Sequence, residues 1–295
     1  MRPTRGSKVP ELPEVESVRR SLTRARLRSA VRSIWRSEHA LRTGEHWQDE
    51  HLSLLRGATP QRWERRGKHL LWRLASKSNE PLGMLVHLGM TGRLEVARTG
   101  APRALHTHVE LRLHDDRVLR FVDARRFGGV RARPWEALLA EPPLCDLGPE
   151  PLGPGFDGAC LYRVAGHSRR ALRDVLLDQR VVAGVGNIYA LEALFLARLH
   201  PLLPAQRLAA SAWDRLAVAV RQVLEQGLRN GGTTLRDYRD ADGNAGSNQQ
   251  ALWVYGRAGQ PCRVCGAALQ GFVLGGRGGV LCPVDQRRPR SRRVS

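Results

Sequence analysis

Lysine is nearly absent from this chain. Of 48 basic residues only Lys8, Lys68 and Lys77 are lysines, and the other 45 are arginines. With abundant Ala, Gly, Pro and Leu, this reads as the output of GC-rich codons. Against that background Lys68 marks a position where a compact amine that can shed a proton is wanted and a guanidinium will not serve. Long apolar runs are missing as well: none approaches the ~18 residues that a bilayer span requires, which argues against a membrane protein. The basic leader "MRPTRGSKV" has no apolar stretch behind it, so it does not read as a secretory signal, and a cytoplasmic protein is expected. Cysteine is scarce, with five in 295 residues. Cys145 and Cys160 stand alone, while Cys262, Cys265 and Cys282 cluster near the end. That pattern excludes a disulfide framework and points to one metal site in a reduced compartment. Acidic residues number only 28, leaving a net charge of +20. Charge of that size favours a polyanionic partner, with nucleic acid ahead of a membrane surface.

What is present suits about two domains with real cores, since 42% of residues are hydrophobic. Residues 10–147 read as one helix followed by β-rich segments. In "PELPEVESVRRSL" Pro13 fits the first turn of a helix, and Leu12, Val15, Val18 and Leu22 recur at helical spacing. "HLLWRLAS" (69–76) and "GMLVHLGM" (83–90) are strand-like, and "HVELRL" and "RVLRFV" flank "HDD" as a hairpin. The Pro- and Gly-dense "GPEPLGPGF" (148–156) is a linker. Helical patterns follow over 157–255, with two helices in 168–200 separated by "AGVG" and a long amphipathic one over 206–229. A polar loop at 230–250 is long enough to suggest function. A Cys-rich segment occupies 256–287, and residues 288–295 form a basic tail. Residues 1–9 are the leader.

Five stretches carry chemistry. Cys262-x2-Cys265-x16-Cys282-x2-Asp285 has the knuckle spacing of a zinc ribbon, with an aspartate in the fourth position; a ribbon held by packing alone is the plain alternative. Arg277, in "GGRGG" between the knuckles, would sit at a turn tip able to approach a phosphate backbone, although a solvated loop arginine is commoner. Asn187 in "GVGNIYALEAL" would cap an apolar helix whose first amides form an anion site, unless it is a cap and nothing more. "HLGMTG" (87–92) and "DARRFGG" (123–129) put Met90, Arg125, Arg126 and Phe127 on tight loops. An apolar wedge and an arginine there can fill the gap left by an extruded base; core packing of Met90 and Phe127 is the simpler account.

Taken in order, these pieces resemble the formamidopyrimidine-DNA glycosylase (Fpg or MutM) family. The matching stretches are "PELPEVE" (10–16), "RRGKHLL" (65–71), "HLGMTG", "DARRFG", "LGPEPL" (147–152), "VVAGVGNIYALEALF" (181–195), "GGTTLRDY" (231–238) and "VYGRAGQPCRVCG" (254–266). "PELPEVE" and the long loop after "GGTTLRDY" favour this family over the endonuclease VIII branch, an enzyme type for oxidised pyrimidines.

The resemblance implies an α+β chain with an N-terminal β-sandwich, a helical domain with a helix–two-turn–helix, and a zinc finger. The implied activity is that of a bifunctional enzyme of base-excision repair. It removes 8-oxoguanine and formamidopyrimidines from double-stranded DNA and then cuts the strand by β,δ-elimination, acting as a monomer associated with the nucleoid. Residue by residue, Pro10 matches the N-terminal proline nucleophile and Glu11 the adjacent acid/base. Lys68 and Arg277 match further catalytic positions, with His87 and Asn187 beside them at the phosphates around the lesion. Met90, Arg125 and Phe127 match the residues that fill the vacated stack, and His106 and Arg126 match DNA-binding positions. Glu14 and Glu192 match family positions too. Cys262, Cys265, Cys282 and Asp285 would hold one Zn2+, and loop 236–250 would cover the flipped base.

Proline is a nucleophile only as a free amine, and in this sequence Pro10 is acylated by Val9. We expect translation to start at codon 9, because valine is encoded by GTN and GTG can initiate. Removal of the initiator methionine would then expose Pro10. With Pro10 blocked, the alternative is a homologue that binds damaged DNA without cutting it.

Overall fold

The computed structural model describes residues 9–39, 49–234 and 241–288. The leader before Val9, the first part of the expected lesion-covering loop and the tail beyond residue 288 lie outside the described residues. The chain divides into two compact units, one of residues 8–146 with 228–249, the other of 147–227 with 250 onward. Residues 228–249 thus group with the N-terminal part of the chain, although they follow the helical segment in sequence.

In the first unit, helix α1 (Leu12–Arg24) starts as its sequence dictates. Pro13 occupies the first turn, where its missing N–H costs nothing, and Glu11 and Glu14 form a reciprocal capping box. Val15, Val18 and Leu22 are buried as the spacing predicts. After β1 (Val31–Arg36) and a short helix α2 (Asp49–Ser53), seven strands follow: β2 (Thr59–Arg66), β3 (His69–Ala75), β4 (Pro81–His87), β5 (Arg93–Arg98), β6 (Thr107–Leu113), β7 (Arg117–Val122) and β8 (Gly129–Pro134). They form two antiparallel four-stranded sheets, ordered β1-β6-β7-β5 and β2-β3-β4-β8. One apolar core joins them, with Val109, Leu111 and Phe121 from one sheet and Leu70, Trp72 and Met84 from the other, and α1 closes it through Val15, Val18 and Leu22. This is a β-sandwich. Helix α3 (Trp135–Ala140) follows β8.

The second unit is helical. It holds α4 (Gly158–Ala165), α5 (Leu172–Leu177), α6 (Asn187–Leu196) and α7 (Ala210–Arg229), whose last two residues fall in the first unit. The pattern over 168–200 predicts a longer first helix than α5. Ala171 instead bridges Pro204, and the amides of Leu172 and Arg173 donate to Leu203 and Pro201, so the strand-like contact takes residues that the periodicity assigned to a helix. Between α5 and α6 the chain makes two successive turns. Gln179 staples them, donating to the carbonyls of Leu177 (3.0 Å) and Val185 (2.8 Å) and accepting from Gly184 N (2.9 Å). The result is a helix–two-turn–helix. The final segment is a hairpin, β9 (Gln270–Leu274) and β10 (Arg277–Leu281), and α6 packs against it through Leu191 and Phe195.

Candidate active site

Glu11 stands at the N-terminus of α1 with 4% exposure, next to Pro10. Its amide donates to Glu14 Oε2 (2.8 Å), while Glu14 Oε1 accepts from the Thr233 amide (2.6 Å). Glu14 therefore ties the start of α1 to the "GGTT" segment, where Gly232 at φ +90° leaves room for the carboxylate. The far end of that segment is closed by Asn248, which donates to Thr233 Oγ1 at 2.9 Å.

Lys68 lies in the two-residue turn between β2 and β3, with Gly67 taking the positive φ of +55° that such a turn needs. The turn is braced from below. Arg65 donates to the Gly67 carbonyl (2.9 Å) and to Glu16 of α1 (3.3 Å), and Arg19 pairs with the same glutamate. These arginines hold the Glu16 carboxyl below its usual range, against the opposing effect of burial. One residue on, His69 pairs in register with His87, and their rings are 5.1 Å apart. Burial, reinforced by the Lys68 cation, lowers His87 to about 4 although Asp123 opposes it. Burial, His87, Lys68 and Arg131 lower His69 to about 3 against a backbone contact from Arg66. Both imidazoles are therefore held neutral at physiological pH, each with one ring N–H to donate.

The two tight loops meet. Gly89, at φ +60°, is packed so closely that a Cβ there would lie 2.3 Å from the amide of Gly128. Met90 and Phe127 are half-buried and neither belongs to the core cluster, so the simple packing account of them does not hold. Arg125 is exposed and lies over the Phe127 ring at 5.0 Å. Arg126 adopts φ +59° in the same loop, and exposed His106 adopts φ +66° with its carbonyl accepting from Asp123 N (3.0 Å).

Asn187 and Arg277 belong to the second unit. Asn187 is the first residue of α6 rather than its cap: Gly186 takes the cap position, and the Asn187 side-chain amide donates to the Gly278 carbonyl of the hairpin at 3.0 Å. The side chain is thus committed across the gap and not to its own helix. Arg277 opens β10 just past the turn, whose tip is Gly275-Gly276 with φ of +53° and +72°. Arg173, 1% exposed, clamps that turn by donating to the carbonyls of Leu274 (2.7 Å) and Arg277 (3.1 Å). Glu192 accepts from the amides of Trp253, Val254 and Tyr255 at 2.7–2.9 Å, joining α6 to the segment that leads into the Cys-rich end. Sequence reasoning assigned nothing to Arg173, Asp123, Thr91 or the Glu16–Arg65 brace. Arg173 carried no signal among so many arginines, while Asp123 and Thr91 stood inside motifs already quoted.

The ligand atoms of Cys262, Cys265, Cys282 and Asp285 all lie within 4.8 Å of one another. Cys265 and Cys282 sulfurs are 3.4 Å apart, and Asp285 Oδ2 is 3.3 Å from Cys282 and 3.5 Å from Cys262. A tetrahedron with Zn–S bonds of ~2.3 Å has sulfur–sulfur edges of ~3.8 Å. The donors are therefore gathered at the right scale for one zinc ion, with the carboxylate as fourth ligand.

Three family models tile the chain in order. They are the formamidopyrimidine-DNA glycosylase N-terminal domain over residues 9–130, the formamidopyrimidine-DNA glycosylase H2TH domain over 147–239, and the zinc finger found in FPG and IleRS over 259–288. The chain belongs to the formamidopyrimidine-DNA glycosylase family. It is 44% identical to the formamidopyrimidine-DNA glycosylase of Moorella thermoacetica, covering 89% of this chain and 94% of that one. The crystal structure of MutM (Fpg) from Thermus thermophilus superposes with a TM-score of 0.82 at 39% identity, covering 94% of this chain and 98% of the other. A Lactococcus lactis Fpg bound to DNA containing N7-benzyl-Fapy-dG superposes with a TM-score of 0.84 at 32% identity, over 95% and 100% of the two chains. The Fpg fold expected from the sequence is thus the fold observed. Among the described residues no helix is long and apolar enough to cross a membrane.

Proposed function

We propose that this chain removes oxidised purines from double-stranded DNA in base-excision repair and cleaves the strand at the resulting site, with Pro10 as nucleophile. The observation that carries the reading is the ordered match of all three Fpg family models from residue 9 to residue 288, with Pro10-Glu11 at its start.

The chemistry follows from the residue types. The Pro10 nitrogen, as a free secondary amine, attacks C1′ of the lesion nucleotide, and the bond to the base breaks with its electrons leaving on the base. Glu11, buried beside it, supplies and takes up protons. The C1′–O4′ bond then opens, its electrons leaving on O4′, which takes up a proton, and the nitrogen lone pair forms an iminium at C1′. The iminium acidifies the C2′ proton; its removal expels the 3′ phosphate, and a second elimination expels the 5′ phosphate. Lys68 serves these phosphates as a proton donor and charge partner and Arg277 as a charge partner, while His87 holds them through a neutral donor and Asn187 through the amide hydrogen that it does not give to Gly278. Met90, Arg125 and Phe127 fill the vacated stack and face the orphaned base, while His106 and Arg126 hold the backbone. Cys262, Cys265, Cys282 and Asp285 would hold one zinc ion, which would serve structurally by fixing the finger that presents Arg277. In this assignment residues 10–147 form the catalytic domain, 157–255 the helix–two-turn–helix domain and 256–287 the finger. The site of action is the cytoplasm, at the nucleoid through DNA.

The role assigned to Pro10 requires the Val9–Pro10 bond to be absent in the active protein. With that bond intact the chain would bind damaged DNA without cutting it. Borohydride reduction on a duplex carrying 8-oxoguanine opposite cytosine separates the two, because only a free amine yields a reducible imine.

A further inference from the structure

Asp123 follows β7 and is fully buried, at 0% exposure, without a paired cation among the described residues. A buried carboxylate is costly unless donors surround it. Here the donors come from the two loops that carry the stack-filling residues. Oδ1 accepts from the Thr91 hydroxyl and from the Arg125 amide (3.2 Å), and Oδ2 accepts from the Gly128 amide (2.7 Å). The Thr91 oxygen in turn accepts from the Arg125 amide at 3.1 Å, so its proton is aimed at the carboxylate. The main chain of the same residue completes the node. Its amide donates to the His106 carbonyl (3.0 Å), and its carbonyl accepts from His108 Nε2 (2.9 Å) and from the Arg126 amide (3.3 Å). Ser37 Oγ lies 2.9 Å from His108 Nδ1 and can donate to it, which leaves the proton of that ring on Nε2.

Met90 lies between Gly89, whose backbone touches Gly128, and Thr91, whose hydroxyl touches Asp123. Arg125 itself donates to Oδ1 through its amide, and Phe127 lies between it and Gly128, the donor to Oδ2. We propose that Asp123 is a positioning residue that locks Met90, Arg125 and Phe127 into one preassembled wedge, and that discrimination of the base opposite the lesion depends on this lock. The proposal rests on the reading that these three side chains enter the vacated stack. Loops that had to order on DNA would lose binding energy at that step; a wedge already ordered does not.

The test uses the full chain with Pro10 exposed and compares Asp123→Asn and Thr91→Val with the parent. Asparagine keeps the shape, but one of its two positions can no longer accept. Single-turnover excision of 8-oxoguanine is measured opposite cytosine and opposite adenine, and borohydride trapping on a preformed abasic site reports the nucleophile. Losing acceptance of one or two buried hydrogen bonds corresponds to about a 10- to 100-fold slower excision for Asp123→Asn. The cytosine-to-adenine rate ratio should shrink, and abasic-site trapping should stay within about 3-fold of the parent. Thr91→Val should move the rates in the same direction by less, and it carries the test if Asp123→Asn does not fold. A merely structural role predicts a lower Tm with the rate ratio unchanged. That result, or parental excision in both variants, overturns the proposal. Met90→Ala with Phe127→Ala is the control. In that background Asp123→Asn should add clearly less than it does in the parent, since two of the three side chains it orders are gone. If the control excises like the parent, the stack-filling reading fails and the proposal with it; if the control is impaired while Asp123→Asn is not, only the proposal fails.

Discussion

Replacing Arg173 with methionine tests how the hairpin bearing Arg277 is held. Methionine keeps most of the buried volume and removes the guanidinium, which is 1% exposed and donates to the carbonyls of Leu274 and Arg277. A hydrogen bond from a charged donor contributes about 1.5–3 kcal/mol. The ion pair with Asp174 adds less than about 1 kcal/mol, because that carboxylate is 33% exposed and solvent screens it. Removing the cost of burying the charge offsets part of the sum, leaving a loss of roughly 2–4 kcal/mol in the local stability of the turn. Native-state hydrogen exchange reads this directly. Amides of β9 and β10 should exchange about 30- to 1000-fold faster in Arg173→Met, while those of the sandwich strands keep their protection. Strand cleavage should slow more than base release, since Arg277, assigned above to the phosphates, is the residue set loose. Unchanged protection in the hairpin would refute the claim that Arg173 clamps it.

Two further outcomes follow from the same geometry. Asp285→Cys should hold zinc more tightly against a chromophoric chelator than the parent, and Asp285→Ala should release it sooner, because thiolate is the softer ligand and the other three sulfurs are already in place. His69 and His87 are depressed to about 3 and about 4, so the unfolded chain binds more protons than the folded one once the pH falls below 6.5. Stability is therefore fully present above pH 6.5 and is lost on acidification toward pH 3, by up to about 1.4 kcal/mol per pH unit per imidazole. Denaturant titrations of His69→Phe should show a shallower acid slope than the parent, with no difference in that slope above pH 7.

Much of the architecture was legible because it rests on local pattern. The hairpin of β6 and β7, the capped start of α1, the Gly-rich finger turn and the metal knuckles each follow from residues a few positions apart. Asn187 was misplaced by one position because its side chain is claimed by Gly278, a residue 91 positions away. The first turn expected for α5 went to a bridge between Ala171 and Pro204 for the same kind of reason. Arg173, the Glu16–Arg65 brace and the Asp123 node escaped sequence reading because their meaning lies in partners brought together only by the fold. Met90 and Phe127 could have been core residues by composition; the fold instead leaves them partly exposed on paired loops.

The reaction itself turns on whether the Pro10 nitrogen is free. The protein as it accumulates in its own cells should be purified, weighed intact, and reduced with borohydride in the presence of a duplex containing 8-oxoguanine opposite cytosine. The account predicts a chain whose first residue is Pro10 and a covalent adduct that maps to that residue. A chain that begins with Pro10 yet gives no adduct, or one that cuts the duplex while still carrying Met1, would contradict it.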